Sequence, residues 1–338
     1  MRIALASFTP GGAALARRVT AALGNAGGPG ERAFTAFDKN AEPLRSWVSR
    51  EFATADALVF VGATGIAVRM LDGLLRGKDK DPAVLVLDEK GEFVIPLLSG
   101  HIGGANRLAG ELAASLGARA VITTATDING VFAVDEWAVA HGCVIDDIEQ
   151  IRNVSGALLR DERVGFHSDF PVSGNLPRGL DMEVGQDIGI CVSLDAGKKP
   201  FAITLNVVPR SITLGAGCRK DTDTDRFERF VLGVLAEHGI SVNALKSLAS
   251  IDIKKNEPCL AAFAHKYRLT FEVFPAGELA AVPGVFTASA FVREQTGVDN
   301  VCERAAMAAG GDRLLVRKTA RDGMTLALGA MDWTCAFE

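Results

Sequence analysis

The chain has 338 residues, of which 48% are hydrophobic, and a formal net charge of −5. Its length and apolar share predict two or three domains with real cores, and its acidic balance argues against a nucleic-acid partner, which needs a basic face. The six cysteines, Cys143, Cys191, Cys218, Cys259, Cys302 and Cys335, form no C-x-x-C pair or metal-finger spacing and read as reduced thiols. Met1-Arg2-Ile3-Ala4-Leu5-Ala6-Ser7 is too short an apolar run for a signal peptide, and no apolar run reaches the ~18 residues of a membrane span. A cytoplasmic protein with no membrane partner is expected.

In chain order, short apolar runs alternate with longer amphipathic ones. Residues 2–6, 56–61, 83–87 and 120–124 read as strands, and another apolar strand opens at Phe93. Residues 13–23, 44–53, 65–75 and 106–116 carry apolar positions at three- and four-residue spacing and read as helices. This alternation predicts an N-terminal α/β domain, residues 1–145, built on a mainly parallel sheet covered on both faces. Residues 146–210 read as a small strand-rich connecting unit, with residues 154–160 closing a helix and strands over 163–167, 188–194 and 202–208. From Ser211 the alternation resumes as a C-terminal α/β domain, residues 211–338. Strands are expected over 212–215, 250–253 and 269–274, helices over 225–238 and 257–267, and a closing hairpin around Arg321-Asp322-Gly323.

The stretch from Phe93 to Asn129 is the richest in chemistry. It joins an apolar strand, the turn Ser99-Gly100-His101, the helix start Gly103-Gly104-Ala105-Asn106, and a second strand ending in Thr123-Thr124-Ala125-Thr126-Asp127. If the two strands are parallel, the intervening helix makes a crossover and His101, Asn106, Thr124 and Asp127 reach one rim, where open α/β sheets bind ligands. Glycines at such a turn admit a ligand to backbone N–H groups, and His101 beside them is placed as a general base. The structural alternatives are a glycine turn with a histidine bonded to backbone, and an Asp127 that merely caps a helix starting near Asn129.

Gly62-Ala63-Thr64-Gly65-Ile66-Ala67-Val68-Arg69 repeats the theme after a strand, with Arg69 one turn into the helix as a carboxylate clamp or as a solvated surface residue. Gly215-Ala216-Gly217-Cys218-Arg219-Lys220 does so in the C-terminal domain, where the two cations either hold carboxylates or form an exposed charged turn. Cys218 as a nucleophile lacks a base pointed out by the sequence. Thr9-Pro10-Gly11-Gly12 reads as a helix start, and Glu303 as either an acid or a first-turn residue favoured by the helix dipole. His141, His167, His238 and His265 stand apart from any second ligand at metal spacing, so no protein-bound metal is expected.

In their order and wording, Gly62 to Arg69, Leu98 to Asn106 and Val121 to Asp127 resemble the cobalt-precorrin-5A hydrolases of cobalamin biosynthesis, called CbiG. Gly215 to Lys220, Ile251 to Pro258 and Thr296 to Glu303 resemble that family's carboxy-terminal domain, which also occurs separately as CobE. Ala216 and the Asp221-Thr222-Asp223-Thr224 that follows depart from the commoner wording. The resemblance implies opening of the δ-lactone of cobalt-precorrin-5A by water, with loss of acetaldehyde. Cobalt then belongs to the substrate and no cofactor is needed.

His101 would activate water and Asp127 would transfer a proton or orient His101. Around Gly103 and Gly104 the N–H groups would stabilise the oxyanion, and Ser99, Asn106 and Thr124 would contact the lactone. Arg69, Arg107, Arg219 and Lys220, with Gly62, Gly65 and Gly217, would hold the macrocycle's carboxylate arms. Contacts with other cobalamin-pathway enzymes are also implied. The alternative is a non-catalytic carrier of a corrinoid intermediate.

Overall fold

Alternation at period two shapes the first sheet. In the computed structural model, which describes residues 1–25, 32–77, 80–182 and 185–337, Ile3 and Leu5 of the first strand are buried in one apolar cluster and Ala4 and Ala6 in another. The same division repeats with Val59 against Phe60 and with Leu85 against Val86.

These strands belong to a compact unit, Met1–Trp137; the remainder, Ala138–Glu338, forms a second. The first unit runs β1 (Arg2–Ser7), α1 (Pro10–Asn25), β2 (Ala33–Ala36), α2 (Leu44–Thr54), β3 (Ala57–Val61), α3 (Thr64–Leu71), β4 (Ala83–Leu87), β5 (Phe93–Leu98), α4 (Ala105–Leu116), β6 (Arg119–Ala120), α5 (Ala125–Asn129) and the first half of α6 (Val134–Ala140). Leu15, Val19 and Leu23 of α1 and Leu108 and Leu112 of α4 close one face of the sheet. Trp47, Val48 and Phe52 of α2 and Ala67 and Leu71 of α3 close the other. The α/β class expected from the pattern is the one the chain adopts.

Strand order is β2-β1-β3-β4-β5-β6. The first four strands in this order are mutually parallel, but β5 lies antiparallel to β4, and β6 follows β5 in parallel. Between β4 and β5 only the short turn of residues 88–92 intervenes, closed by Gly91 N–H on Asp88 O at 3.0 Å and by Phe93 N–H on the Asp88 carboxylate at 2.6 Å. Such a turn makes a hairpin and leaves no room for the helix a parallel connection needs. The carboxy ends of β5 and β6 therefore meet the rim where β1, β3 and β4 begin. In addition, β6 ends at Ala120, short of the expected Thr124, and β2 was not foreseen.

In the second unit, β7 (Cys143–Ile145), α7 (Glu149–Leu159), β8 (Val164–Ser168), β9 (Val172–Ser173), β10 (Leu180–Asp181), β11 (Ile188–Val192) and β12 (Ile203–Pro209) come first. Strands β10-β8-β11-β12-β7 form a sheet that is parallel except for β7, which pairs antiparallel with β12. There follow β13 (Ile212–Cys218), α8 (Thr224–Glu237), β14 (Leu245–Ile251), α9 (Pro258–Lys266), β15 (Thr270–Phe274), α10 (Ala276–Ala281), α11 (Ala290–Thr296), α12 (Cys302–Ala308), β16 (Arg313–Arg321), β17 (Met324–Ala330) and β18 (Cys335–Ala336). A second sheet runs β15-β14-β13-β17-β16, and β18 returns to pair with β9. At the expected hairpin, Asp322 and Gly323 both take positive φ, 52° and 82°, as a tight two-residue turn requires.

Gly215 and Gly217 lie inside β13 rather than in a turn before a helix. A Cβ at Gly215 would stand 1.8 Å from the carbonyl oxygen of Cys302, so this glycine lets α12 lie on the strand backbone. One at Gly217 would meet Thr325 Oγ1 of the neighbouring strand at 2.9 Å. Glu303 is fully buried, accepting from Thr287 N–H and Oγ1 and from Lys318 N–H at 2.7–2.8 Å, which makes it an anchor for α12.

Gly215→Ala is expected to cost about 3 kcal/mol or more, lowering Tm by roughly 10 °C, because the clash is with backbone. Gly65→Ala, inside α3 with nothing within 4 Å of its Cβ, should hold or raise Tm. Thermal unfolding of the two variants checks this contrast, and equal melting points contradict it.

Candidate active site

The reversed β5 ends at Leu98, and the chain turns sharply at Ser99, whose φ is 55°. Ser99 Oγ donates to Asp81 O at 3.0 Å, which ties the turn to the segment leading into β4. A Cβ at Gly103 would lie 2.4 Å from that of Ser99, and one at Gly100 would lie 2.8 Å from the side chain of Asn106. The glycines thus make room for the turn's own side chains. Gly104 N–H donates to His101 O, Ala105 N–H to Ser99 O and Asn106 N–H to Gly100 O, at 2.8–3.1 Å. These amides are taken by the turn itself, so the oxyanion donors expected around Gly103 and Gly104 are not offered by the Gly104 amide or the next two.

His101 sits among three carboxylates. Its Nδ1 lies 3.1 Å from Asp135 Oδ2, and its Nε2 lies 2.9 Å from Asp127 Oδ2 and 3.8 Å from Glu136 Oε1. Thr126 Oγ1 is 3.4 Å from the same nitrogen. Asp127 lies within α5, whose N-cap position is Thr124, so it is not the cap of a later helix. Asn106, 4% exposed, donates from Nδ2 to Asp127 Oδ2 at 3.1 Å and to Thr124 Oγ1 at 3.2 Å. Its amide holds Asp127 in place instead of facing a ligand.

The expected convergence of His101, Asn106, Thr124 and Asp127 is therefore present, and β5 and β6 are indeed parallel. Two members were missed. Asp135 and Glu136 open α6, where acidic residues read as ordinary dipole partners, and only the fold brings them to His101.

The hydrogen bond to Asp135 raises His101 from 6.5 to about 9; burial opposes it, while Asp127 and the charges of Asp135 and Glu136 add to it. Near neutral pH the ring is an imidazolium with both nitrogens engaged, which corrects its expected role as a general base. Burial pulls Asp135 upward, but the hydrogen bond and charge of His101 outweigh that and hold it below the usual carboxylate range. Burial lifts Glu136 above its ordinary value, the His101 charge opposing. His101, Asp127 and Glu136 have ligand atoms within 4.8 Å of one another, a spacing that suits a cation, but the proton on His101 competes for the same nitrogen.

Gly62 and Gly65 follow β3 and lie at the rim opposite His101, since β5 runs against β4. Gly62 packs beneath Phe8, whereas Gly65 faces open space. From there α3 runs back, and Arg69 lines a cavity of about 690 Å³ with Arg45, Val68, Leu75, Leu97 and Leu98. Leu97 and Leu98 are the last residues of β5, directly before the His101 turn. Arg69 is exposed and makes no ion pair among the described residues, whereas Arg107 pairs with Glu111 at 2.5 Å. Arg219 and Lys220 are exposed in the second unit, in the turn after β13. A cavity of about 710 Å³ there, lined by Asp169 and Trp333 among others, contains none of the expected site residues.

Comparison with known families bears on this arrangement. The family models described as cobalamin synthesis G N-terminal, cobalamin biosynthesis central region and cobalamin synthesis G C-terminus match residues 46–127, 132–209 and 212–329. Fold and matches together define an α/β protein of cobalamin synthesis. The cobalt-precorrin-5A hydrolase of Salmonella typhimurium is 36% identical over 97% of both chains, and that of Priestia megaterium is 32% identical over 83% of this chain and 80% of its own. CobE of a Sinorhizobium species is 28% identical over 35% of this chain and 78% of its own. The chain belongs to the cobalamin synthesis G family, CbiG, the one its motifs resemble.

Because the folded-state pKa of His101 is raised, its pairing contributes full stability below about 6.5 and loses it as pH rises through about 9. A histidine-resolved NMR titration should therefore place His101 near 9, and Asp135→Asn should bring it down by at least one unit. A value near 6.5 in the unsubstituted protein contradicts the geometry.

Proposed function

We propose that the chain is a cobalt-precorrin-5A hydrolase, opening the substrate's δ-lactone with water and releasing acetaldehyde to leave cobalt-precorrin-5B, the ring-contraction step of anaerobic cobalamin biosynthesis. The end-to-end likeness to the Salmonella hydrolase carries this reading, and the cluster around His101 supports its chemistry. Cobalt enters as part of the substrate, and the reading calls for no resident cofactor.

Lactone opening needs a base for water, a stabiliser for the carbonyl oxyanion and a proton for the departing alkoxide. In this reading Glu136, lifted by burial, takes the proton from water. The His101 imidazolium, anchored through Nδ1 on Asp135, stabilises the oxyanion and gives its Nε2 proton to the alkoxide. Asp127, steadied by Asn106, orients that Nε2–H. The new hydroxyl then loses its proton to a carboxylate as the carbon–carbon bond breaks; the bonding pair passes to the macrocycle and the two-carbon fragment leaves as the aldehyde.

A cavity lined by leucines and two arginines suits a flat macrocycle with carboxylate arms. Arg69 would hold one arm and Arg107 another, by leaving its half-buried partner Glu111, which also pairs with Arg32. Docking of other cobalamin-pathway enzymes accompanies this reading.

Acetaldehyde release from cobalt-precorrin-5A under anaerobic conditions tests the proposal. His101→Gln and Glu136→Gln are each expected to lower kcat by about 10²–10⁴, and Arg69→Ala to raise KM with little change in kcat. Wild-type turnover in both of the first two variants overturns the site. Absence of acetaldehyde from the unsubstituted protein overturns the function.

A further inference from the structure

Cys218 and Cys259 lie 41 residues apart in sequence, yet their Sγ atoms are 3.7 Å apart. Cys218 closes β13, and Cys259 sits in the first turn of α9, directly after Pro258 and its capping residue Glu257. Glu257 is 6% exposed. One of its oxygens, Oε2, accepts from Lys254 Nζ at 2.8 Å, while the other, Oε1, is buried with no hydrogen-bond partner. A buried carboxylate oxygen without a partner is costly and signals a missing positive charge or donor. Ligand atoms of Cys218, Cys259 and Glu257 all fall within 4.8 Å of one another.

We propose that Cys218, Cys259 and Glu257 bind one thiophilic divalent cation of the zinc class, with Glu257 Oε1 as the oxygen ligand. The sulfur spacing fits, because two thiolates at about 2.3 Å from a tetrahedral zinc stand about 3.8 Å apart. A disulfide would need about 2.05 Å instead. Charge also closes: two thiolates and a carboxylate carry three negative charges, which Lys254 and a divalent cation balance. Binding displaces one proton from each thiol to solvent. Three protein ligands leave the fourth corner of the tetrahedron open to water or another small ligand. The site lies wholly in the second unit.

The test uses the full chain, reduced and stripped of metal, titrated with Co²⁺ as a spectroscopic probe and then with Zn²⁺. One equivalent of Co²⁺ should produce a near-ultraviolet thiolate charge-transfer band with tetrahedral visible bands, one equivalent of Zn²⁺ should erase them, and Zn²⁺ should raise Tm. Cys218→Ser and Cys259→Ser should each abolish the charge-transfer band or reduce it severely, and Glu257→Gln should keep a thiolate band while weakening Zn²⁺ binding at least about tenfold. His101→Gln and the double substitution Cys143→Ser with Cys335→Ser should leave the titration unchanged. No thiolate band at one equivalent in the unsubstituted protein, or an unaltered band in both Cys218→Ser and Cys259→Ser, overturns the proposal.

Discussion

The antiparallel pairing of β5 on β4 is the constraint on which the candidate active site depends. It turns the last two strands of the first sheet around, so the Ser99 to Asn106 turn arrives where β3 and β4 begin rather than where they end. Parallel pairing would have set His101 beside Gly62 and Gly65; the reversal sets it instead at the rim toward which α3 returns. That is how Arg69, far along α3, and Leu97 and Leu98, at the end of β5, come to share a cavity wall. The hairpin turn between β4 and β5 thus positions the candidate site without contributing a residue to it.

At that rim one imidazole faces three carboxylates, and the balance among them sets its charge. Asp135 is almost wholly buried, and a buried carboxylate is tolerated only beside a compensating charge. His101 supplies that charge, which keeps the ring protonated and takes it out of the running as a base near neutral pH. Asp127 and Glu136, on the Nε2 side, are the more exposed acids. The buried acid therefore sets the charge state of the imidazole, while the more exposed acids stay open to solvent.

The second unit solves a different problem with the same residue types. Its glycines at 215 and 217 resemble a ligand-cradling motif in sequence, but α12 and the neighbouring strand occupy the space beside them. Close packing of α12 on β13 is locked by Thr213 Oγ1 on Ala306 O at 2.8 Å and by the buried Glu303. On the opposite face of the same sheet, the α8 and α9 side, the phenylalanines Phe227 and Phe263 meet edge to face at 5.7 Å.

Period-two and three-to-four spacing of apolar residues determined the α/β class, most of the strands and helices, and the Asp-Gly hairpin, because local burial pattern and turn chemistry act over a few neighbouring residues. The motif wording around His101, Asn106 and Asp127 also marked residues that meet, since a strand, turn and helix in succession carry those three to one rim. Tertiary structure alone decided the rest. The entry of Asp135 and Glu136 into the site, the packing role of the glycines and the meeting of Cys218 with Cys259 all depend on contacts between elements distant in the chain. So does the charge on His101: a side chain's protonation follows from what surrounds it in space, and no spacing along the sequence records that.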